Sequence, residues 1–306
     1  MDRKDSLGLK TLTTLRGLSR LELNELIESA LVHADQAESN EAPGDELSGR
    51  AVAMMFFESS TRTRLSFELA TKRLGADLMT FDPGTASTKK GESLRDTALT
   101  VTAMGADILV VRHSEAGVPD AIHDWTGVPV VNAGDGTHEH PTQALLDAVT
   151  LHRRFGSLAG LRMGIVGDIR HSRVAGSLFH AMPALGVESM LIGPESLLPE
   201  NEPAGFEMST DLDSHLGDLD IVYLLRVQRE RGTRIPDDYI ERFRIDSKRT
   251  AAMKPEAVVM HPGPMNRDVE ITGDVADGPR SLILSQVANG VPTRMAVLAA
   301  LRDGLS

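Results

Sequence analysis

The sequence contains no cysteine. Disulfides and thiolate metal sites are therefore excluded, although compartment is not settled by that alone. Aromatic residues are scarce, at 4% of the chain. With Gly, Ala, Val and Leu plentiful, that scarcity suits βα units better than an all-β sandwich, whose strands favour aromatics. Basic residues are outnumbered, 32 Lys and Arg against 44 Asp and Glu, for a formal net charge of −12. The deficit argues against an extended nucleic-acid surface, because such binding is driven by basic groups that displace counterions. Any anionic ligand must meet local, concentrated positive charge. Long hydrophobic runs are absent too: the apolar stretch at residues 51–57 falls far below the roughly 20 residues that span a bilayer, and the opening MDRKDSLGLKTL has no signal-peptide h-region. The expectation is a soluble, cytoplasmic protein.

What is present points to an α/β enzyme. At 306 residues and 41% hydrophobic content, the chain reaches the length at which one core commonly divides into two. Residues 21–32 carry apolar side chains at helical spacing, and the acidic stretch 35–46, with Pro43 and Gly44, reads as a surface loop. Residues 51–57 read as a buried strand and 62–74 as a helix with Phe67, Ala70 and Leu74 on one face, which puts a βα junction at 58–61. Residues 82–92 form a polar loop, 93–104 a helix, 108–111 a strand ending at Arg112 and His113, and 128–131 another strand. The most regular helix is 141–155, with Pro141 in the tolerated first turn and a stripe of Ala144, Leu145, Ala148, Leu151 and Phe155; it is placed as a bridge between domains. Strands near 162–166, 187–192, 221–225 and 258–260 form a second βα series, and a last helix covers 292–302 after Gly290. The predicted fold is two α/β domains, each a mainly parallel sheet flanked by helices, joined by long helices. In such sheets ligands gather beyond the carboxyl ends of strands, where every polar motif of this chain falls.

The run Phe56-Phe57-Glu58-Ser59-Ser60-Thr61-Arg62-Thr63-Arg64 places hydroxyls and guanidinium groups where a strand gives way to a helix. Free N–H groups, hydroxyl donors and an arginine fork make a phosphate site. The same run also fits a Ser/Thr N-cap followed by an exposed Arg-bearing helix. Neither a G-x-x-x-x-G-K-[ST] nor a G-x-G-x-x-G pattern is present, which weakens a nucleotide reading.

S-T-R-T-R after F-F-E resembles the carbamoyl-phosphate signature of the aspartate and ornithine carbamoyltransferases. The resemblance covers nearly the whole chain. It implies that Ser60, Thr61, Arg62 and Thr63 hold the phosphate, with Thr63 near the carbonyl oxygen. The stretch A-S-T-K-K-G-E-S at 86–93 is similar to a family loop that comes from the neighbouring subunit of a trimer, so Ser87 and Lys90 would complete another chain's active site; read alone, two lysines in a polar loop are simply solvated.

Arg112 follows an apolar strand, and His140 lies in N-A-G-D-G-T-H-E-H-P-T-Q just before the long helix. The resemblance makes Arg112, His140 and Thr63 the donors to the carbonyl oxygen, where attack builds negative charge, with Gln143 binding the carbamoyl nitrogen. His138 and His140 could also suggest a metal pair, but without H-E-x-x-H spacing the ligand set is incomplete, and no metal is expected. Arg173, in G-D-I-R-H-S-R, and Arg226, in R-V-Q-R-E-R, each follow a strand of the later half. Two arginine forks can orient both carboxylates of an amino acid, although R-V-Q-R-E-R alone also reads as a solvated charged loop. The resemblance here is to the aspartate-specific members, with Arg173 toward the α-carboxylate, Arg226 toward the side-chain carboxylate and Gln228 beside it. Ornithine-specific members carry a cysteine in H-C-L-P, where this chain has H-P-G-P at 261–264; Gly263 and Pro264 would present backbone carbonyls to the substrates.

The family fold implies a carbamoyl-phosphate domain over residues 1–140, an aspartate domain over 141–290, and a final segment, 291–306, returning to the first. The implied reaction needs no nucleophilic side chain, metal or organic cofactor. Alternatives are a related carbamoyltransferase with another acidic amine substrate, or an inactive homologue serving as a structural subunit of a pyrimidine-pathway complex. Regulatory chains or a dihydroorotase are partners that the resemblance leaves open.

Overall fold

The structure, a computed structural model, describes residues 8–39, 44–81, 91–228, 235–302 and 305. Two compact units emerge, one of residues 1–149 with 287–306 and the other of residues 150–286.

The first unit opens with α1 (Arg20–Glu38) and continues through β1 (Ala51–Phe56), α2 (Thr61–Arg73), β2 (Asp77–Phe81), α3 (Leu94–Ala103), β3 (Ile108–His113), α4 (Val118–Thr126) and β4 (Val130–Asp135) into α5 (Pro141–Phe155). Its strands form a parallel sheet in the order β2-β1-β3-β4. Residues 52–56 of β1 and the whole of β4 are buried, which is why these strands read as unbroken apolar runs rather than alternating ones. One layer of core joins Ala53, Met55, Leu109, Val111 and Val130 to Ala98 and Val101 of α3 and Ile122 of α4. Helix α2 buries Phe67 and Ala70 along the stripe expected from its spacing, and Leu74 at its C-cap.

The second unit holds β5 (Arg162–Gly167), α6 (Arg173–Ala184), β6 (Glu188–Ile192), β7 (Glu207–Ser209), β8 (Ile221–Leu225), α7 (Tyr239–Phe243), α8 (Ser247–Ala252), β9 (Val258–Met260) and α9 (Gly273–Ala276), and leads into α10 (Ile283–Ala300). The strands are parallel, in the order β7-β6-β5-β8-β9. Val166, Ile192, Val222, Leu224, Tyr239, Phe243, Val259 and Ile271 belong to one core. Both divisions between units fall inside helices, α5 and α10. The architecture is thus two parallel sheets flanked by helices.

Three local expectations need correction. Residues 35–38 continue α1 instead of opening a loop, with Ser39 N–H donating to Asp35 O at 3.0 Å; a polar helix end shows no apolar period to read. The last helix begins at Ile283 rather than Pro292. Proline removes one N–H from the ladder, but Thr293 Oγ1 donates to Asn289 O at 2.7 Å and Arg294 Nη1 to Gly290 O at 3.0 Å, so side chains bond carbonyls around the interruption. Strand β4 lies at Val130–Asp135, displaced from 128–131.

Candidate active site

In the first unit, the expected phosphate-binding residues occupy the start of α2. Ser60 is the N-cap with extended backbone (φ −157°, ψ 109°), yet its hydroxyl makes no capping bond, and the first turn carries no acidic residue. The alternative reading of this run as an N-cap before an exposed Arg-bearing helix thus holds in position but without a side-chain capping bond, and the positive end of the helix dipole faces no compensating carboxylate of its own first turn. Thr61 and Arg62 are exposed, and Thr63 is buried. Ser66 Oγ donates to Arg62 O at 2.7 Å and to Thr63 O at 2.9 Å, which ties down the turn.

Parallel pairing brings the other donors to the same sheet edge. Phe56 of β1 is in register with Arg112 of β3, and Phe57 N–H donates to Arg112 O at 2.9 Å. The Arg112 side chain is 13% exposed; its Nη1 donates to Ala133 O at 3.1 Å, and its Nε lies 3.7 Å from Glu58 Oε2. His140 stands at the entrance to α5, where its carbonyl accepts from Gln143 N–H at 2.9 Å. Its Nε2 lies 3.5 Å from Thr63 Oγ1, and both side chains are buried. Gln143 Nε2 donates to Asp147 Oδ1 at 3.0 Å.

The loop that carries His140 is held by carboxylates that sequence reading passed over. Buried Asp135 accepts from Asn132 Nδ2 at 2.8 Å, Gly117 N–H at 2.8 Å and Glu139 N–H at 3.1 Å, and lies 3.1 Å from His138 Nδ1. Glu139 in turn accepts from Leu15 N–H at 3.0 Å and from the Thr14 hydroxyl. His138 thus serves the loop through Asp135. A local signal existed, since Asn132, Asp135 and Glu139 fall within eight residues of a strand-to-helix turn.

In the second unit, the residues expected to bind the amino acid stand beyond three adjacent strands. Arg173 is the first residue of α6, after β5, with Ser172 as a true N-cap accepting from Ala175 N–H at 3.3 Å. Arg226 and Gln228 follow β8, and Gly263 and Pro264 follow β9. At the end of β5, Gly167 has φ +120°, and a Cβ there would sit 2.6 Å from Leu225 O, so only glycine admits this approach of β5 to β8. The next residue, Asp168, is fully buried and organises the loops: His171 Nδ1 lies 2.8 Å from its Oδ1, and Gln228 N–H donates to its Oδ2 at 3.3 Å. Gln228 Nε2 donates to His171 O at 2.7 Å. Glu270 holds the far side by accepting from Val227 N–H at 2.9 Å, Asn266 N–H at 2.7 Å and Asn266 Nδ2 at 2.8 Å. Burial raises the Glu270 carboxyl above its usual range despite these bonds. The turn after β9 is set by His261, whose Nδ1 accepts from Gly263 N–H at 2.9 Å.

Ser87 and Lys90 lie outside the described residues. Of the rest, the structure brings Thr63 and His140 into contact range and sets Arg112 on the strand between their own. Arg173, Arg226, Gln228, Gly263 and Pro264 stand at the carboxyl ends of β5, β8 and β9.

Residues 10–153 match the family model of the aspartate/ornithine carbamoyltransferase carbamoyl-P binding domain, and residues 159–301 that of the Asp/Orn binding domain. The chain is similar to the aspartate carbamoyltransferase catalytic subunit of Salinispora tropica, 53% identical and covering 84% of this chain and 86% of the relative. It is also similar to that of Beijerinckia indica, 48% identical over 100% of this chain and 98% of the relative. Among solved structures, it resembles the Trypanosoma cruzi aspartate transcarbamoylase in complex with N-(phosphonacetyl)-L-aspartic acid (TM-score 0.87, 31% identity, 96% of each chain). The ornithine carbamoyltransferase of Thermus thermophilus is similar in fold as well (TM-score 0.85, 28% identity, 97% and 99%). With both halves matched and half of its residues shared with curated relatives, the chain belongs to the aspartate/ornithine carbamoyltransferase family.

Proposed function

We propose that the chain transfers the carbamoyl group of carbamoyl phosphate to the amine of L-aspartate, giving N-carbamoyl-L-aspartate and phosphate, a step of pyrimidine biosynthesis. The observation that carries this reading is the set of donors at one edge of the first sheet: an uncapped helix start at 60–63, Arg112 on the neighbouring strand, and His140 within 3.5 Å of Thr63. The similarity to curated catalytic subunits at about half identity supports the choice of aspartate.

In this reading Ser60, Thr61, Arg62 and Thr63 hold the phosphate through backbone N–H groups, hydroxyls and a guanidinium fork. Thr63, Arg112 and His140 donate to the carbonyl oxygen, while Gln143 accepts from the carbamoyl nitrogen. Arg173 pairs with the α-carboxylate of aspartate and Arg226 with its side-chain carboxylate, beside Gln228; the carbonyls at Gly263 and Pro264 face substrate nitrogen. The neutral amine attacks the carbamoyl carbon, and charge builds on the oxygen that the three donors face. The tetrahedral intermediate then collapses with cleavage of the carbon–oxygen bond to phosphate, whose oxygens take the amine proton. Every bond change occurs within the two substrates, so the protein contributes orientation, which can supply roughly 7–11 kcal/mol, and fixed dipoles at the oxyanion. Ser87 and Lys90 act on the active site of a neighbouring subunit in a cytoplasmic homotrimer.

The reading is tested by offering the purified protein carbamoyl phosphate with a panel of amines: aspartate, glutamate, ornithine and β-alanine. Product with aspartate at a rate far above the others supports it. A preference for ornithine, or no product with any amine, overturns it.

A further inference from the structure

Behind the carbamoyl half of the site lie two buried charged residues that the reaction does not use. Asp147 sits one helical turn after Gln143 on α5, fully buried, and accepts from Gln143 Nε2 at 3.0 Å. Arg294, on α10 within the same unit, is 3% exposed. Its guanidinium stacks on Phe67, 5.0 Å from the ring centroid, and Phe67 is one turn after Thr63 on α2. Arg294 Nη1 donates to Gly290 O at 3.0 Å, and the buried Nε has no hydrogen-bond partner among the described residues. Two buried charges are costly by comparison with apolar packing, a cost that fold stability does not account for.

A carboxamide is planar, with a donor on one arm and an acceptor on the other. An ionised carboxylate only accepts, so it dictates which arm of Gln143 turns inward. Resting on the proposed carbamoyl-transfer reading, we propose that Asp147, supported by Arg294, is a positioning residue that locks the Gln143 carboxamide with Nε2 inward and Oε1 toward substrate, so that the site selects an acyl phosphate carrying N–H on its acyl carbon. Burial pushes the Arg294 guanidinium down to about 9, with the charge of Asp147 opposing that shift and the charge of Arg112 adding to it. The group stays cationic at neutral pH.

Acetyl phosphate is the probe, since it replaces the amino group of carbamoyl phosphate by a methyl of similar size. The wild-type protein binds carbamoyl phosphate at least about tenfold more tightly than acetyl phosphate, one hydrogen bond's worth of preference. In Asp147→Asn the side chain can donate as well as accept, Gln143 is free to turn over, and the preference falls to about threefold or less. Inorganic phosphate binds as in wild type, because the start of α2 is untouched. A purely structural role would weaken all three ligands together. Should removal of one buried charge unfold the chain, Asp147→Asn/Arg294→Met removes both and is read the same way, with melting temperature as the control. A wild-type preference retained in either folded variant overturns the proposal. Lack of preference in the wild-type protein also overturns it, whereas the carbamoyl-transfer reading fails separately, on absence of product with aspartate. A check on the wild-type protein needs no variant: the Gln143 side-chain NH₂ protons stay protected from solvent exchange with the site empty, and exchange at the rate of an exposed amide also overturns the proposal.

Discussion

Thr63 Oγ1 and His140 Nε2 lie 3.5 Å apart across 77 positions of sequence. The pairing follows from sheet order. β1 leads into α2 and β4 precedes α5, and β3, which carries Arg112, runs between them. Thr63, Arg112 and His140 therefore stand at three strand ends, no one element supplying more than one of them. Such an arrangement suits the proposed oxyanion site, since groups braced by different elements need not reorganise as charge develops.

Thr63→Val removes the hydroxyl while keeping the volume of a buried side chain. Turnover should fall by about 10² to 10³, the equivalent of roughly 2.7–4 kcal/mol of transition-state stabilisation, with the melting temperature lowered by only a few degrees. Steady-state assays beside thermal unfolding check this, and turnover within about threefold of wild type removes Thr63 from the oxyanion set.

Arg62→Ala should abolish measurable turnover at ordinary carbamoyl phosphate concentrations and leave the fold intact. The residue is exposed in the first turn of α2, and a guanidinium fork on phosphate makes two charge-assisted hydrogen bonds, each contributing about 1.5–3 kcal/mol. Inhibition by inorganic phosphate should weaken in parallel. Calorimetric titration of phosphate into the variant measures this directly.

Arg226→Ala is expected to raise the KM for aspartate by about tenfold to a hundredfold and to leave the affinity for carbamoyl phosphate unchanged, since it pairs with one substrate only. Asp168→Ala should affect the same constant for a different reason. The buried carboxylate bonds Gln228 N–H and lies against His171, so its loss also lowers stability, by about 1–3 kcal/mol. Equal effects of both variants on stability would show that Arg226 is structural.

If Lys90 reaches a neighbouring subunit in a cyclic trimer, inactive Arg62→Ala and Lys90→Ala chains should rescue one another. Equal mixing makes about three quarters of trimers mixed, each with one intact site of three, so about one quarter of wild-type activity returns. Activity that stays at the parental level after dissociation and reassembly contradicts a shared site.

How much of this was legible before the structure depends on what each residue type announces. β1, β3, β5, β8 and β9 are buried parallel strands, and such strands read as short continuous apolar runs; α5 carries a full helical stripe. Helix α6 is hidden by Gly176 and Pro183, and the first turns of α10 by Pro292, because both residues normally punctuate helices and here are tolerated inside them. The arginines and hydroxyls of the site announce themselves by standing at strand ends. Asp135, Asp147, Asp168 and Glu270 announce nothing, although Asp135 ends β4 and Asp168 follows β5 directly. A buried carboxylate is defined by the N–H groups that three-dimensional folding delivers to it, and one-dimensional spacing records only the fraction that are local, such as Gln143 to Asp147 at i, i+4.

The central claim is that one protein joins two particular substrates. The most direct measurement is to incubate the purified chain with [¹³C]carbamoyl phosphate and L-aspartate and follow ¹³C and ³¹P resonances together. The account predicts that the label appears in N-carbamoyl-L-aspartate as phosphate is released in equal amount, and that release without aspartate is negligible by comparison. Phosphate released at the same rate with and without aspartate, or label that accumulates in any other product, would contradict it.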